Sequence, residues 1–300
     1  MGAKYLSCLQ KEGGIEIAAL RTAKGSLTNN KEITQYYSVP DALAFQPDGV
    51  IIANPTSLHV ASALPFLEKG IKVMIEKPIA HSVEECNKLS GYKNLLIVAY
   101  GMRFLPISTY IKGLLEKEKV FKVSFKRSFY LPKWHPYADY RDEYTAKASL
   151  GGGVIRTLSH EIDLMHYWFG VPQTVTGITD KISHLEIDTD DFAFFTAKYN
   201  DRVRVNFELD FFSPININTG EALTDKGRYS WDTKTLNFMS YTAGTVEEIL
   251  EFSSEMFTEM YQAQVDDFIN FINGSETKSA TFDTSLQVLT LIEKLDGCRS

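Results

Sequence analysis

Three short segments of this 300-residue chain combine residue types able to move protons or hold charged groups. The first is Glu76-Lys77-Pro78, directly after the apolar run Lys72–Ile75. A lysine at the carboxyl end of a buried strand faces any ligand in the cleft there. With a lowered pKa it polarises a substrate hydroxyl or assists proton transfer. Pro78 fixes the turn and removes a competing N–H. The plainer expectation is a surface salt bridge between Lys77 and Glu76. The second segment runs GGGVIRTLSHEID over residues 151–163. Three glycines permit a tight turn or close backbone approach, and a helix follows. His160 suits general acid–base work. Asp163, three residues on, shares its helix face, so a simple His160–Asp163 hydrogen bond is the alternative. His166 lies about 240° round the helix from His160, so HEIDLMH forms no one-face metal site and no metal is expected. The third segment, ANPTSLH over 53–59, follows the apolar run GVIIA. A polar, proline-stiffened turn at a strand end is well placed to touch a nucleotide; equally, Thr56 or Ser57 serves as a helix N-cap.

The elements that must position these segments follow from periodicity. Apolar runs at Ile15–Leu20, Gly49–Ala53, Lys72–Ile75 and Leu95–Ala99 alternate with helical patterns at His59–Lys69 and Val83–Leu89. Strands apolar on both faces, alternating with helices, read as βαβ units around a buried parallel sheet. After Ala99 the character changes. Leu105–Lys119 is an amphipathic helix, and residues 121–131 alternate apolar and polar, broken only by Arg127 on the apolar face. Residues 203–211 repeat that alternation and pair with 191–199 through Asn200-Asp201 as a hairpin. Helices are expected near 153–169, 257–273 and Ser285–Leu295. The fold class is therefore α/β: a Rossmann-like N-terminal domain over 1–99, then an α+β domain over 100–300 with a large, mostly antiparallel open sheet. The last helix, 285–295, is free to return to the first domain.

Composition bounds the partners. With 31 Lys+Arg against 38 Asp+Glu the formal charge is −7, so no basic field for nucleic acid exists. No apolar run approaches the roughly 18 residues of a membrane span. Cys8, Cys86 and Cys298 are scattered and odd in number, which fits a reducing cytoplasm, and Met1–Gln10 lacks the apolar core of a signal peptide.

Together the segments resemble the Gfo/Idh/MocA oxidoreductases. The matching pieces are ANPTSLH (53–59), EKP (76–78), YGMRFLP (100–106), GGGVIRTLSHEIDLMHYWFG (151–170), TDKGRYSWD (224–232) and MYQAQVDDFINFINGS (260–275). The stretch LPKWHPYADYR (131–141) resembles a subgroup associated with bacterial surface-sugar clusters, including sugar-nucleotide pathways. The resemblance implies hydride transfer between a nicotinamide and a hydroxyl or ketone of a sugar or polyol. By position, Lys77 and His160 match the catalytic pair. Gly2, Arg21, Thr22, Lys24, Asn54, Pro55, Thr56, His59, Glu76 and Arg103 fall on the cofactor side. Arg103, Trp134, His135, Tyr140, Arg141 and Asp163 fall on the substrate side. NAD enzymes usually carry an acidic residue after the second strand; Arg21 with Lys24 there suits the 2′-phosphate of NADP, with NAD the alternative. The family is often dimeric or tetrameric through the second-domain sheet. Phe192, Phe194, Phe195, Phe207, Phe211 and Phe212 put aromatics on both faces of the hairpin, so both faces are expected to be covered, by another subunit or by a helix of the same chain.

Two departures stand out. The family opens on a strand and a G-x-G-x-x-G turn, whereas this chain opens on what resembles the following helix. Gly2 stands there as the third glycine, and Tyr5, Leu6 and Leu9 as the buried face. An internal methionine taken as the start, about ten residues late, is one expectation; a true truncation with weak dinucleotide binding is the other. Second, the acidic residue the family carries one turn before the histidine is replaced by Arg156 and Thr157. A nearby Arg156 would disfavour protonated His160. A relative with impaired catalysis, binding a sugar or a partner protein, is therefore the alternative to an active dehydrogenase.

Overall fold

A computed structural model describes residues 1–21, 33–200 and 202–296. The chain opens with helix α1 (Gly2–Leu9), whose buried residues are Tyr5 and Cys8, with Leu6 only partly covered in place of the expected Tyr5/Leu6/Leu9 face. Strands β1 (Ala18–Leu20) and β2 (Thr34–Tyr36) pair in parallel as a sheet of their own. Helix α2 (Val39–Ala44), capped by the Ser38 hydroxyl, leads to β3 (Gly49–Ile52) and α3 (His59–Leu67). Then come β4 (Lys72–Ile75), α4 (Val83–Asn87) and β5 (Leu96–Val98). Strands β3, β4 and β5 are parallel neighbours, and the central β4 is apolar because helices cover both faces. Among the described residues the parallel ladder is divided between β1 and β3, where a 3-2-1-4-5 order places its first strand.

The second layer begins with α5 (Pro106–Leu115), β6 (Val120–Tyr130) and the short α6 (Leu131–Trp134). The expected helix over 153–169 is two: α7 (Val154–Thr157) and α8 (Ser159–Phe169), broken where Leu158 leaves helical geometry. Strands β7 (Thr174–Asp180), β8 (Phe192–Tyr199), β9 (Val203–Asp210), β10 (Phe212–Thr224), β11 (Gly227–Trp231), β12 (Thr235–Ser240) and β13 (Val246–Glu251) complete an eight-stranded sheet. Its order is β13-β12-β11-β10-β6-β9-β8-β7, antiparallel throughout except β6 against β9. One face is buried under helices: Phe125 stacks on Phe207 and on Trp168 of α8. On the other face Phe194 is 46% exposed, so no helix among the described residues covers it.

The remaining elements, α9 (Met256–Ile272), β14 (Ala280–Thr281) and α10 (Phe282–Asp296), return to the first layer. Helix α9 packs on α1, and β14 joins β5 in antiparallel register. A Cβ on Gly49 would lie 2.3 Å from Ile272 Cδ1, so that glycine lets α9 sit directly on β3. Helix α10 touches both layers, against α4 and against α8.

Candidate active site

The carboxyl ends of β3 and β4 form one rim of the site. After β3, Pro55 enters a single 3-10 turn, Thr56–Leu58, that has no side-chain cap. Thr56 and Ser57 are therefore not capping residues. Thr56 is buried, and its Cβ bounds the space at Gly151. Asn54 donates from Nδ2 to Ser62 Oγ at 2.7 Å, while its Oδ1 is buried without a donor. His59 sits between the two strand-end turns, its ring nitrogens 2.9 Å from the Pro78 carbonyl and 3.0 Å from that of Asn54. Burial first, and the Lys77 charge last, lower its pKa against the pull of the two carbonyls; a neutral ring donates to one of them, and only the protonated ring to both.

Glu76 and Lys77 form no ion pair at the surface. Glu76 is buried, accepting from the Tyr5 hydroxyl at 2.7 Å and from the Lys77 backbone N–H at 3.1 Å. Tyr5 also lies 3.1 Å from Gln264 Oε1, while Gln264 Nε2 is buried without a partner. Turning that amide over lets Nε2 donate to the tyrosine oxygen, whose proton goes to Glu76, and leaves Oε1 as the unpaired atom. The Lys77 ammonium donates to the Thr157 carbonyl. That carbonyl is available because the break at Leu158 leaves it outside the α8 ladder. The helix interruption and the lysine's position are thus one feature.

The glycine run holds α7 and α8 against this rim. A Cβ on Gly152 would fall 2.2 Å from the Tyr144 carbonyl, and Gly153, at φ 111°, would push one to 2.3 Å from Asp190 Oδ1. Asp190 takes the first N–H groups of α7: Val154 donates to its carbonyl and Ile155 to its carboxylate, at 3.1 and 3.2 Å. Such N-terminal contacts satisfy donors that the helix cannot.

His160, at the start of α8, is half-buried and meets Tyr100 edge-on at 6.0 Å. It does not bond Asp163. Asp163 instead pairs with Arg103, accepting from Nε at 2.8 Å and from Nη2 at 2.6 Å, both residues buried. Burial disfavours the Arg103 charge, yet the carboxylate holds its pKa above the ordinary value. Arg103 and Asp163 thus brace the 3-10 turn Gly101–Phe104 against α8. Arg156 also departs from expectation: its guanidinium pairs with Asp296 of α10. The charges that act on His160 are those of Lys77 and Arg127. Burial, then these two cations, push its pKa well below the usual value. The neutral ring is therefore favoured, and a proton it takes up is held weakly.

Two members of this cluster were not foreseen. Glu161 is 2% exposed, and neither carboxylate oxygen finds a donor beyond its own backbone. Arg127 is its electrostatic partner. Helix α8 lies along β6 with Trp168 stacked on Phe125 at 5.8 Å. Two turns back along the helix from Trp168 stands Glu161, and two residues along the same strand face stands Arg127. Burial raises the Glu161 pKa, opposed first by Arg127 and then by Lys77. Burial likewise lowers that of Lys77, opposed by Glu76 and Glu161. The signal in the sequence was Arg127 itself, the lone charge on an apolar strand face.

The other expected residues lie further out. Gly2 begins α1 beside β3, where an added Cβ would meet only that of Ala53, at 4.0 Å. Arg21 follows β1 and donates its N–H to Tyr36 at 2.9 Å, whereas Thr22 and Lys24 lie outside the described residues. Trp134 and His135 stack on each other beyond β6. Tyr140 accepts the Glu186 N–H, and Arg141 is held by Asp139 and Glu186. Among the described residues no three His, Cys, Asp or Glu side chains gather as a metal site. No helix there is long and apolar enough to cross a membrane.

A divided parallel sheet with polar turns at its strand ends, one of them carrying Lys77 toward the helix α8 that bears His160 beside a second, open sheet, defines a dinucleotide-fold oxidoreductase. Residues 9–93 match the oxidoreductase family with an NAD-binding Rossmann fold, and residues 110–230 match the GFO/IDH/MocA C-terminal domain. The chain belongs to the Gfo/Idh/MocA family. It is 24% identical to the rhizopine catabolism protein MocA of Rhizobium meliloti, over 98% of this chain and 90% of that one. It is 25% identical to the scyllo-inositol 2-dehydrogenase (NADP(+)) IolW of Bacillus subtilis, over 77% of this chain and 63% of that one. Among solved structures, GenD2 from gentamicin A biosynthesis in complex with NAD has the same fold, with TM-score 0.81 at 17% identity. That match covers 99% of this chain and 90% of GenD2.

Proposed function

We propose that this protein transfers a hydride between a nicotinamide dinucleotide and a hydroxyl or ketone carbon of a sugar-type substrate. The observation that carries the reading is the meeting of Lys77, from the β4 end, with the α7–α8 break that presents His160. The residues present fit the dinucleotide: the buried, donor-free Asn54 Oδ1 and the open approach at Gly2 both lie at the β3 end. When bound, the nicotinamide supplies or accepts the hydride. His160, kept neutral, takes the hydroxyl proton in the oxidative direction and returns it in the reductive one. Lys77, oriented by the Thr157 carbonyl, stabilises charge on the substrate oxygen. Glu161, whose carboxylate acts on Lys77, supplies an acid to this cluster in the absence of one at Arg156 or Thr157, and so favours the active reading over an impaired one. Arg21 at the end of β1 favours NADP over NAD.

The test is nicotinamide reduction by the purified protein with NADP+ or NAD+ and a panel of sugars and polyols. Sugar-dependent reduction that falls about 100-fold or more in His160→Gln supports the reading. Equal rates in the two proteins would overturn it.

In the same reading the protein is cytoplasmic, supported by the buried free thiols Cys8 and Cys86. Two copies meet through the open sheet face, which carries exposed Phe194 and a shallow basin of about 510 Å³. Sedimentation of Phe194→Lys tests that contact; an unchanged oligomer would exclude it.

A further inference from the structure

The connection from β6 to the glycine run carries a row of rings that hydride transfer does not use. Strand β6 presents Phe125, Arg127 and Phe129 to the helical side at alternate positions. Arg127 belongs to the catalytic cluster. One strand step further, Phe129 packs on Trp134 with centroids 4.4 Å apart. Trp134 stacks on His135 at 4.9 Å and 12°, and His135 on Tyr137 at 5.5 Å and 28°. Exposure climbs along the row from 4% at Phe129 to 36% at Trp134 and 84% at Tyr137. Glu143, 2.6 Å from His135 Nδ1, fixes the middle ring. A single exposed aromatic is ordinary. A stacked, hydrogen-bonded row that starts beside the cluster and ends in solvent has a direction, and that direction is along a ligand leaving the cluster.

We infer that this row is a second sugar subsite: a ring linked to the reacting one packs on the outer face of Tyr137 and along the ring edges that the stacking leaves open, so the substrate is a neutral or amino-substituted glycoside of at least two rings. This rests on the sugar-oxidoreductase reading of the site. Ring faces attract polarised C–H groups and ammonium ions. The neighbouring charges, the exposed Lys133 apart, favour an amine over the sugar-nucleotide expected from the 131–141 stretch. Arg141 is committed to Asp139 and Glu186, and Lys147 to Asp142. The carboxylates stay exposed, at 82% for Asp142 and 71% for Glu186. Such a rim repels a diphosphate and attracts an amine.

The experiment titrates the protein, without cofactor, with glucose, maltose, cellobiose, the two-ring aminoglycoside neamine and UDP-N-acetylglucosamine. Tryptophan fluorescence and thermal unfolding are read in parallel. A two-ring probe is expected to bind about tenfold more tightly than glucose, and Tyr137→Ala and Trp134→Leu to erase that margin in folded protein. The proposal is overturned if ring number makes no difference or if UDP-N-acetylglucosamine binds best. It is equally overturned if Tyr137→Ala alters the sedimentation coefficient and leaves sugar binding as it was, since the row then contacts a second copy. Two-ring binding without sugar-dependent nicotinamide reduction would defeat the hydride-transfer reading and spare the subsite. Reduction without any two-ring preference would defeat the subsite alone.

Discussion

Two buried carboxylates stand two residues apart on α8, and each faces an arginine, yet they are held differently. Asp163 is closed: both oxygens accept from Arg103, and the guanidinium is further covered by Tyr167 at 5.0 Å. Glu161 is open: buried to a similar degree, it lacks any such fork and answers to Arg127 and Lys77 through the field alone. A fully paired carboxylate fixes geometry and has no capacity left. A carboxylate buried beside two cations with no donor but its own backbone keeps its proton affinity adjustable, which a reaction that moves protons can use. The closed pair supports, the open cluster reacts, and one helix positions both.

The comparison can be broken at either end. The largest effect is expected in the open cluster at His160 and Lys77: Lys77→Met should lower turnover about 10²–10⁴-fold while the unfolding midpoint in urea changes little. A matching loss of stability would merge the two regions. In the closed pair the order reverses. Arg103→Met leaves the buried Asp163 charge alone and should cost about 3–5 kcal/mol of stability, read by denaturant unfolding. Adding Asp163→Leu should recover much of that loss; failure to recover would show that Arg103 acts through something other than the pair.

Smaller effects sharpen the contrast. Glu161 has a folded-state pKa raised by burial, so the folded protein binds more protons above the ordinary carboxylate range. Its contribution to stability is then lost as pH rises from the ordinary value through the folded one. Glu161→Gln should therefore gain relative stability toward neutral pH, and should reshape the pH profile of turnover; a parallel-shifted melting curve at every pH would contradict this. Asp190 provides the mildest case. Burial, then Asp296, raises its pKa to about 6. The stabilisation is full below about pH 4 and falls as pH rises to about 6. Asp190→Asn should flatten that slope, visible as a few degrees in Tm between pH 4 and 6. The loss of the carboxylate bond to Ile155 should lower Tm slightly at all pH values.

These contrasts explain what could be read in advance. Strand-end chemistry was legible at Glu76-Lys77-Pro78 and ANPTSLH because short apolar runs end abruptly in polar turns. Arg127 was visible as an interruption in an alternating strand. What stayed hidden were partnerships. Nothing local tells that Asp163 turns to Arg103 instead of His160, or Arg156 to Asp296, because those partners are 60 and 140 residues away. The break at Leu158 was hidden too, since SHEID continues the helical pattern of VIRT without a proline or glycine between them. Strands β11–β13 were largely unread: β11 alternates over only five residues, while β12 and β13 are largely half-buried or exposed on both faces, which blurs the period-two signal.

The return of α9 and β14 to the first layer has a consequence for how the chain is made. Synthesis delivers the nucleotide layer first, but Met74, Ile97 and Tyr5 share their apolar cluster with Val265 and Phe268. While the ribosome is still translating the large sheet, that half waits with an uncovered flank. Contacts of such sequence separation form late and slowly, so that flank gains its cover only once residues 256–296 have emerged.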